Sequence, residues 1–368
     1  MSFLLTNFIE LNIATALQVI VLGFIGGILS GFIGSGGAFF MTPGMMNLGV
    51  PGIVSVGSNI THKFGKAMMG SRKHREMGNV DRRLGVLLIL TSFIGIGIAV
   101  WINSALFEGG GDGHGAATSA ASNLYISAVF ICILSVVAIS MLRDALRSRD
   151  TAGGAGPSRK ISDFLARLHM PPYVRLTVAD VRVSIWILLG VGLATGYLAG
   201  TIGVGGFIGV PAMIYVIGVP TAVAAGTELY LAMFMGAFGA INYAYGGFVD
   251  IRLTLLLYLG SLLGLFIGAY GTKVVKELLI RTVTGITILL CVISRAVAVP
   301  AYLRQMGWID INPDWDHYFN QASKVMLFVA GLVGTAIILF NVARAYRRRR
   351  HIIATLIEAP EPPTSSHG

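Results

Sequence analysis

One pattern occurs twice in this chain. Gly27, Gly31, Gly34, Gly36, Gly37, Gly49, Pro51, Gly57, Gly78, Val80, Asp81 and Arg83 return as Gly196, Gly200, Gly203, Gly205, Gly206, Gly218, Pro220, Gly226, Gly247, Val249, Asp250 and Arg252, each 169 positions later. A single landmark slips: Pro43 would map to 212, and the proline is Pro211. Both copies lie in apolar sequence that the glycines interrupt. Paired, glycine-broken apolar segments at matching positions of two halves are the mark of a carrier whose site lies between repeats. The duplication restricts the fold to two related, membrane-embedded halves.

Composition calls for the same solvent. Of 368 residues, 55% are hydrophobic and 12% charged, against about 25% charged in ordinary soluble domains. Mean hydropathy is +0.76, which leaves too few polar residues to cover a water-facing surface. Met1 to Asn12 leads into the first apolar segment without a basic stretch and cleavage site, so no removed leader is expected. The net charge of +10 is carried by short loops and the C-terminus, where it orients the chain in a bilayer rather than binding nucleic acid. Cys132 and Cys291 each lie in an apolar run and are expected to be buried, inert thiols, with no disulfide framework, metal site or cofactor.

Crossing about 30 Å of hydrocarbon takes roughly 20 helical residues. Segments of that kind lie near 52–71, 84–106, 122–142, 220–245, 253–272, 278–299 and 323–343. The regions 17–48 and 184–218 are longer and are cut midway by Gly34-Ser-Gly-Gly and Gly203-Val-Gly-Gly. Each is either one broken crossing or two half-helices folded into a re-entrant hairpin.

The distribution of basic residues decides between them. Arg72, Lys73, Arg75, Arg82 and Arg83 place the 71–83 loop in the cytoplasm, while 106–121 has no Lys or Arg and faces out. The 143–182 connection, with eight Lys or Arg, and the end at Arg344 and Arg347–Arg350 face in. Counting back from that end puts 246–252 outside and both 182 and 219 inside. Region 184–218 therefore enters and leaves on one side, and the two halves are inverted.

The expected architecture is an all-α polytopic membrane protein with its C-terminus cytoplasmic. Repeat 1 covers 17–143 and repeat 2 covers 184–300, each a glycine-broken re-entrant pair plus three crossings. A cytoplasmic linker, 144–183, begins flexibly and carries an interfacial helix at 161–182. One extra transmembrane helix, 323–345, precedes a tail at 346–368.

A broken helix leaves backbone N–H groups without intrahelical partners. Glycines at 34, 36 and 37 and at 203, 205 and 206 let an anion approach that backbone, and the following helix N-terminus adds partial positive charge. The same glycines also suit tight helix crossing. Neither cluster has the spacing of a nucleotide-binding loop.

A second constellation opens the next helix, as Gly57-Ser58-Asn59 and Gly226-Thr227-Glu228. Ser58 and Thr227 are candidate donors to a bound oxyanion, or hydroxyls bonded back to their own helix. Glu228 is an ionisable group within a membrane helix, a functional site by default and a candidate proton carrier; a place near the helix end in water is the alternative. Lys63 and Lys66 share a helical face with Asn59. They form either a cationic path or side chains snorkelling to the interface.

The doubled Gly-x3-Gly-x2-Gly-x-Gly-Gly run with Pro43 or Pro211, the Gly226-Thr227 step and the turns Gly78-Asn-Val80-Asp81 and Gly247-Phe-Val249-Asp250 resemble the sulfite exporter TauE/SafE family. The run His62-Lys63-Phe64-Gly65-Lys66 is similar to a subset of it. The likeness spans most of residues 20–300. It implies secondary transport of a small sulfur-containing anion, such as sulfite or a sulfonate, in a bacterial-type inner membrane, without settling direction. The family's cradle would fall on Gly34, Ser35, Gly36, Gly37 and Gly203, Val204, Gly205, Gly206, with Ser58 and Thr227 beside them. Ser35 against Val204, and Asn59 against Glu228, make that cradle unequal.

The sequence thus predicts alternating access around an anion site, with lipid as the surrounding partner, protons coupled through Glu228, and a homo-oligomer left open. A channel or a non-transporting membrane component is the rival from another class. A membrane enzyme finds no His-Glu-x-x-His or Ser/His/Asp cluster in the apolar segments.

Overall fold

The structure, a computed structural model, describes residues 11–33, 37–108, 116–150, 170–203, 205–275 and 277–357. Gly34, Ser35, Gly36 and Val204 lie outside these, as do 161–169 of the expected interfacial helix and the tail beyond 357. The helices are α1 (Ile13–Ile33), α2 (Ala38–Asn47), α3 (Gly52–Glu76), α4 (Arg82–Glu108) and α5 (Ala116–Asp150). A strand pair, β1 (Tyr173–Leu176) and β2 (Val181–Ser184), leads into α6 (Ile185–Ile202). Then come α7 (Gly206–Pro211), α8 (Thr221–Tyr245), α9 (Ile251–Val274), α10 (Glu277–Gln305) and α11 (Asp314–Ile357).

Eight of these helices are long and apolar enough to cross a membrane: α1, α4, α5, α6 and α8–α11. The protein is an all-α multi-pass membrane protein. Its lipid-facing surfaces read as exposed stripes at helical spacing, Leu90, Ile94, Ile98 and Trp101 on α4 and Leu255, Leu259 and Leu263 on α9. Helix α3 is not among the eight. Its 25 residues span roughly 37 Å at 1.5 Å per residue, but Lys63, Lys66 and the basic end lower its hydropathy. It runs through the interior, between the halves.

Both glycine-broken regions fold back on themselves. A Cβ on Gly37 would lie 1.9 Å from the Gly26 carbonyl oxygen, and one on Gly44 would lie 2.2 Å from Leu22 Cδ1. Helix α2 thus returns antiparallel beside α1, toward the level at which α1 starts. In the second copy Gly205 meets Ala199 and Gly209 meets Thr195, so α7 returns beside α6 in the same way. The first arm is full length in each hairpin, 21 and 18 residues, where two half-helices were expected. The displaced proline marks a local difference: after Pro211 the returning arm widens into a π-helical turn, Ala212–Ile217, whereas α2 runs through Pro43 as α-helix.

The duplication is visible in the helix bounds. Helix α3 (Gly52–Glu76) recurs as α8 (Thr221–Tyr245), both ends displaced by 169, and α4 and α9 start 169 apart. Each hairpin packs against the other copy's helix, α1 on α9 and α6 on α4. In these two pairs the helices run parallel, and glycines let their backbones touch. Gly23, Gly27 and Gly31 face Leu257, Ser261 and Leu265, and Gly192, Gly196 and Gly200 face Leu88, Ser92 and Ile96. In α3 and α8 the partners run in opposite order: Ile60 meets Gly239, Phe64 meets Gly236 and Gly70 meets Leu229. These two equivalent helices are antiparallel.

Small residues at such crossings are a packing requirement. A Cβ on Gly196 would sit 2.1 Å from the Ser92 carbonyl oxygen and 2.4 Å from its Cα, backbone atoms that cannot step aside. On the same helix, a Cβ on Gly190 would meet nothing within 4 Å. Gly196→Val is expected to cost at least about 1–3 kcal/mol of overpacking and to lower the unfolding temperature in detergent. Gly190→Val should leave it near the parent value. Equal melting of the two variants would overturn this account of the stripe.

Each Gly-x-Val-Asp motif is a turn and a helix cap. Gly78 and Gly247 hold φ of +72° and +75°, which only glycine adopts freely. Asp81 Oδ1 accepts the Leu84 N–H at 3.1 Å, and Asp250 Oδ1 accepts the Arg252 N–H at 2.9 Å, so each aspartate starts the helix that follows.

The connection between the halves departs from expectation. Helix α5 continues to Asp150, into the stretch read as flexible, because no glycine interrupts it before Gly153. Residues 173–182, read as part of an interfacial helix, instead belong to an antiparallel ribbon that runs on to 184, with Tyr173 opposite Ser184 and Leu176 opposite Val181. Alternation at Val174, Leu176, Val181 and Val183 suits strands. Asp81 Oδ2 accepts the Val178 and Ala179 N–H groups, both at 3.1 Å, so repeat 1 holds the ribbon that feeds repeat 2. Helix α11 likewise continues past 345 to Ile357, through a stretch free of glycine and proline. Cys291 is buried as expected, but Cys132 is exposed on α5.

Candidate functional site

The second helix break is lined by the first half. Helix α6 ends at Gly203, in the left-handed region at φ +74°, where its N–H still bonds to the Ala199 carbonyl at 2.9 Å. Across from it, Thr42 of α2 donates to the Ile202 carbonyl at 3.1 Å, and Asn59 Nδ2 donates to Thr42 Oγ1 at 2.8 Å. A Cβ on Gly203 would come within 3.1 Å of Thr42 Oγ1 and 3.2 Å of Asn59 Nδ2. One on Gly205 would come within 3.1 Å of Lys63 Nζ. The backbone after the break is thus exposed to a buried amide and an ammonium, and Gly206 begins the returning helix.

Glu228 meets this group from α8. Its Oε1 lies 3.7 Å from Lys63 Nζ, with the two side chains 3% and 14% exposed. Neither of its carboxylate oxygens receives a hydrogen bond among the described residues. Gly209 of the returning arm leaves room for it: a Cβ there would be 2.2 Å from Oε2. Lys66, one turn along from Lys63, donates to Ser30 Oγ at 2.7 Å, three residues before α1 ends. Lys63 therefore stands by the second break and Lys66 by the last turn of α1, with the Glu228 carboxylate beside Lys63. A buried charge is costly unless compensated, and among the described residues these two lysines face a single carboxylate, Glu228.

The structure brings together Asn59, Lys63, Gly203, Gly205, Gly206 and Glu228, with Lys66 at the edge of the group. Gly37 serves the hairpin, packed on the Gly26 carbonyl. His62 turns away to α9, 2.7 Å from Ser261 Oγ. Ser58 and Thr227 are engaged elsewhere. The Asp250 N–H donates to Ser58 Oγ at 3.0 Å, and the Asp81 N–H donates to Thr227 Oγ1 at 3.0 Å. Gly57 and Gly226 permit these contacts, since a Cβ on either would lie 2.3 or 2.1 Å from the carbonyl oxygen of Phe248 or Asn79. Each half thus grips the other half's Gly-x-Val-Asp turn, and the two clamps sit at opposite ends of the antiparallel α3–α8 pair.

Thr42, Ser30 and Thr195 join the site without having been singled out in the sequence. Thr42 directly precedes the landmark Pro43 and Ser30 sits inside the glycine stripe, so position was their signal. Among the described residues no group of three His, Cys, Asp or Glu side chains is placed to hold a metal ion.

A family model described as Sulfite exporter TauE/SafE matches residues 19–295, which include both breaks. The "Probable membrane transporter protein YdhB" of Bacillus subtilis (strain 168) is 22% identical over 276 residues, covering 73% of this chain and 95% of that relative. The "Probable membrane transporter protein YjnA" of the same strain is 25% identical over 257 residues, 69% of this chain and 89% of the relative. No solved structure matches the chain significantly.

Proposed function

Because the chain belongs to the sulfite exporter TauE/SafE family of membrane transporters, we propose that it is a secondary carrier of small sulfur-containing anions, such as sulfite or sulfonates, working by alternating access between inverted halves. The observation that carries this reading is the pair of largely buried lysines, Lys63 and Lys66, which have one carboxylate beside them, Glu228, among the described residues. A sulfur oxyanion offers several acceptors to ammonium groups and to exposed backbone N–H groups, and charge-assisted hydrogen bonds are the strong ones.

The antiparallel course of α3 and α8 supports the inverted arrangement, since equivalent crossing helices of opposite direction place the halves upside down to one another. With the basic loop at 71–83 in the cytoplasm, the C-terminal helix then ends in the cytoplasm. The clamps support alternation. Ser58 with Asp250 closes one face and Thr227 with Asp81 the other, so opening a face releases one clamp and keeps its counterpart. Glu228, a carboxylate with open acceptor positions beside the cations, is the group that carries the proton in this reading.

The test is uptake of labelled sulfite into proteoliposomes, with and without an imposed proton gradient, in competition with sulfonates, thiosulfate, sulfate and chloride. Saturable, gradient-driven uptake inhibited by sulfur oxyanions and not by chloride is expected. Non-saturating current would mark a channel, and no protein-dependent flux from folded protein would overturn sulfite as substrate.

A further inference from the structure

Arg295 is among the largest fully buried side chains, 1% exposed on α10, and no acidic side chain pairs with it among the described residues. Its contacts are neutral. Nη1 reaches Tyr302 Oη at 3.4 Å and Met46 Sδ at 3.6 Å. Nη2 donates to Ser323 Oγ at 3.1 Å and to Asn47 Oδ1, which also accepts from Ser323 Oγ. Two donors in this cluster have no acceptor at all, Arg295 Nε and Asn47 Nδ2, both buried atoms. A buried guanidinium belongs beside a counter-charge, and a buried donor without an acceptor costs about 1–3 kcal/mol. Both deficits have the same remedy.

The corresponding place in the other repeat shows what is missing. There the end of the returning arm carries Tyr215, at the position equivalent to Met46, and it donates to Asp144 Oδ2 at 2.8 Å. The second repeat's arm is thus anchored by a carboxylate of the protein, and the first repeat's arm by a cation without one. The cluster is within reach of the surface. Asn47 is partly exposed and Gly49, two residues on, is exposed with nothing within 4 Å of its would-be Cβ.

We infer that Arg295 and Asn47 form a second anion site, at the junction of α2, α10 and α11, that takes a small anionic group through Arg295 Nε and Asn47 Nδ2. The site is separate from Lys63 and Glu228 and does not depend on what the carrier transports. A free inorganic anion and the phosphate of a lipid headgroup offer the same chemistry.

Crystals of the full chain grown in sodium bromide distinguish these. An anomalous peak between Arg295 Nε and Asn47 Nδ2 is expected in the wild-type protein. It should fall to background in Asn47→Asp, which supplies the missing carboxylate from the chain and keeps the fold, and in Arg295→Gln. Headgroup density continuous with an acyl chain at the same place would keep the site and assign it to lipid. No peak and no headgroup density in the wild type, or a peak undiminished in Asn47→Asp, would overturn the inference.

Discussion

Lys63→Met is expected to lower the apparent affinity for the transported anion by roughly 10- to 150-fold, from the loss of a charged hydrogen-bond donor of about 1.5–3 kcal/mol. Methionine keeps most of the length and packing of the lysine stem and removes only the ammonium. The side chain lies where the second break, Asn59 and Glu228 converge, so its charge acts on whatever occupies that junction. Its loss also changes the balance. With Lys66 alone against Glu228 the junction becomes neutral, and the carboxylate is left buried without its nearest cation, a costly state for the fold. The double variant Lys63→Met/Glu228→Gln separates these effects. It restores an excess of one positive charge through Lys66 and leaves no orphaned carboxylate. Its melting temperature should recover, and its anion affinity should exceed that of the single variant. A double variant no better than Lys63→Met in affinity would show that charge excess is not what attracts the anion.

Most of the scaffold was legible because close helix packing restricts residue type. Where two backbones touch, as at Gly27 on Ser261 or Gly196 on Ser92, only glycine fits, so a duplicated fold leaves a duplicated stripe of glycines in the sequence. The same stripe hid a distinction. Gly27, Gly31, Gly196 and Gly200 serve crossings, and Gly37 serves a hairpin, while Gly203 and Gly205 face polar side chains of the other half. Spacing along one helix does not reveal which neighbour approaches it.

Ser58 and Thr227 illustrate that limit. Their place at the start of paired helices is plain from the repeat, yet what they hold, the turns at Asp250 and Asp81, lies 192 and 146 positions away. Glu228 stood out because a carboxylate in apolar sequence is conspicuous. Arg295 sits in an apolar segment in the same way, and the rule that intramembrane charges are functional applies to it equally. The strand pair at 173–184 was readable from its alternating valines, but the apolar spacing of the preceding stretch suggested a helix carried through it.

The repeat breaks its own symmetry where the charge sits: Asn59 and Glu228 occupy equivalent positions, and in the proposed reading the coupling role falls to the half that carries Glu228. An anion drawn to Lys63 competes with the Glu228 carboxylate for the same ammonium, 3.7 Å away. Once displaced, the carboxylate would be a buried charge without a partner, and protonation removes that cost. Among the described residues Lys63 on α3 is the titratable group facing it, Lys66 lies one turn farther on, and His62 is turned to Ser261. From α6 and α7 the facing residues are Thr195 and Gly209. Glu228→Gln, a fixed neutral side chain of the same shape, should therefore bind the anion at least as tightly as the parent and still exchange labelled for unlabelled anion across the membrane. Accumulation driven by an imposed proton gradient should be lost. Each turnover should also carry one more negative charge than in the wild type, because no proton accompanies the anion. Current from proteoliposomes on a solid-supported membrane, recorded beside tracer exchange, measures both quantities. Gradient-driven accumulation and charge per turnover unchanged in Glu228→Gln would remove Glu228 from the coupling while leaving the anion site itself in place.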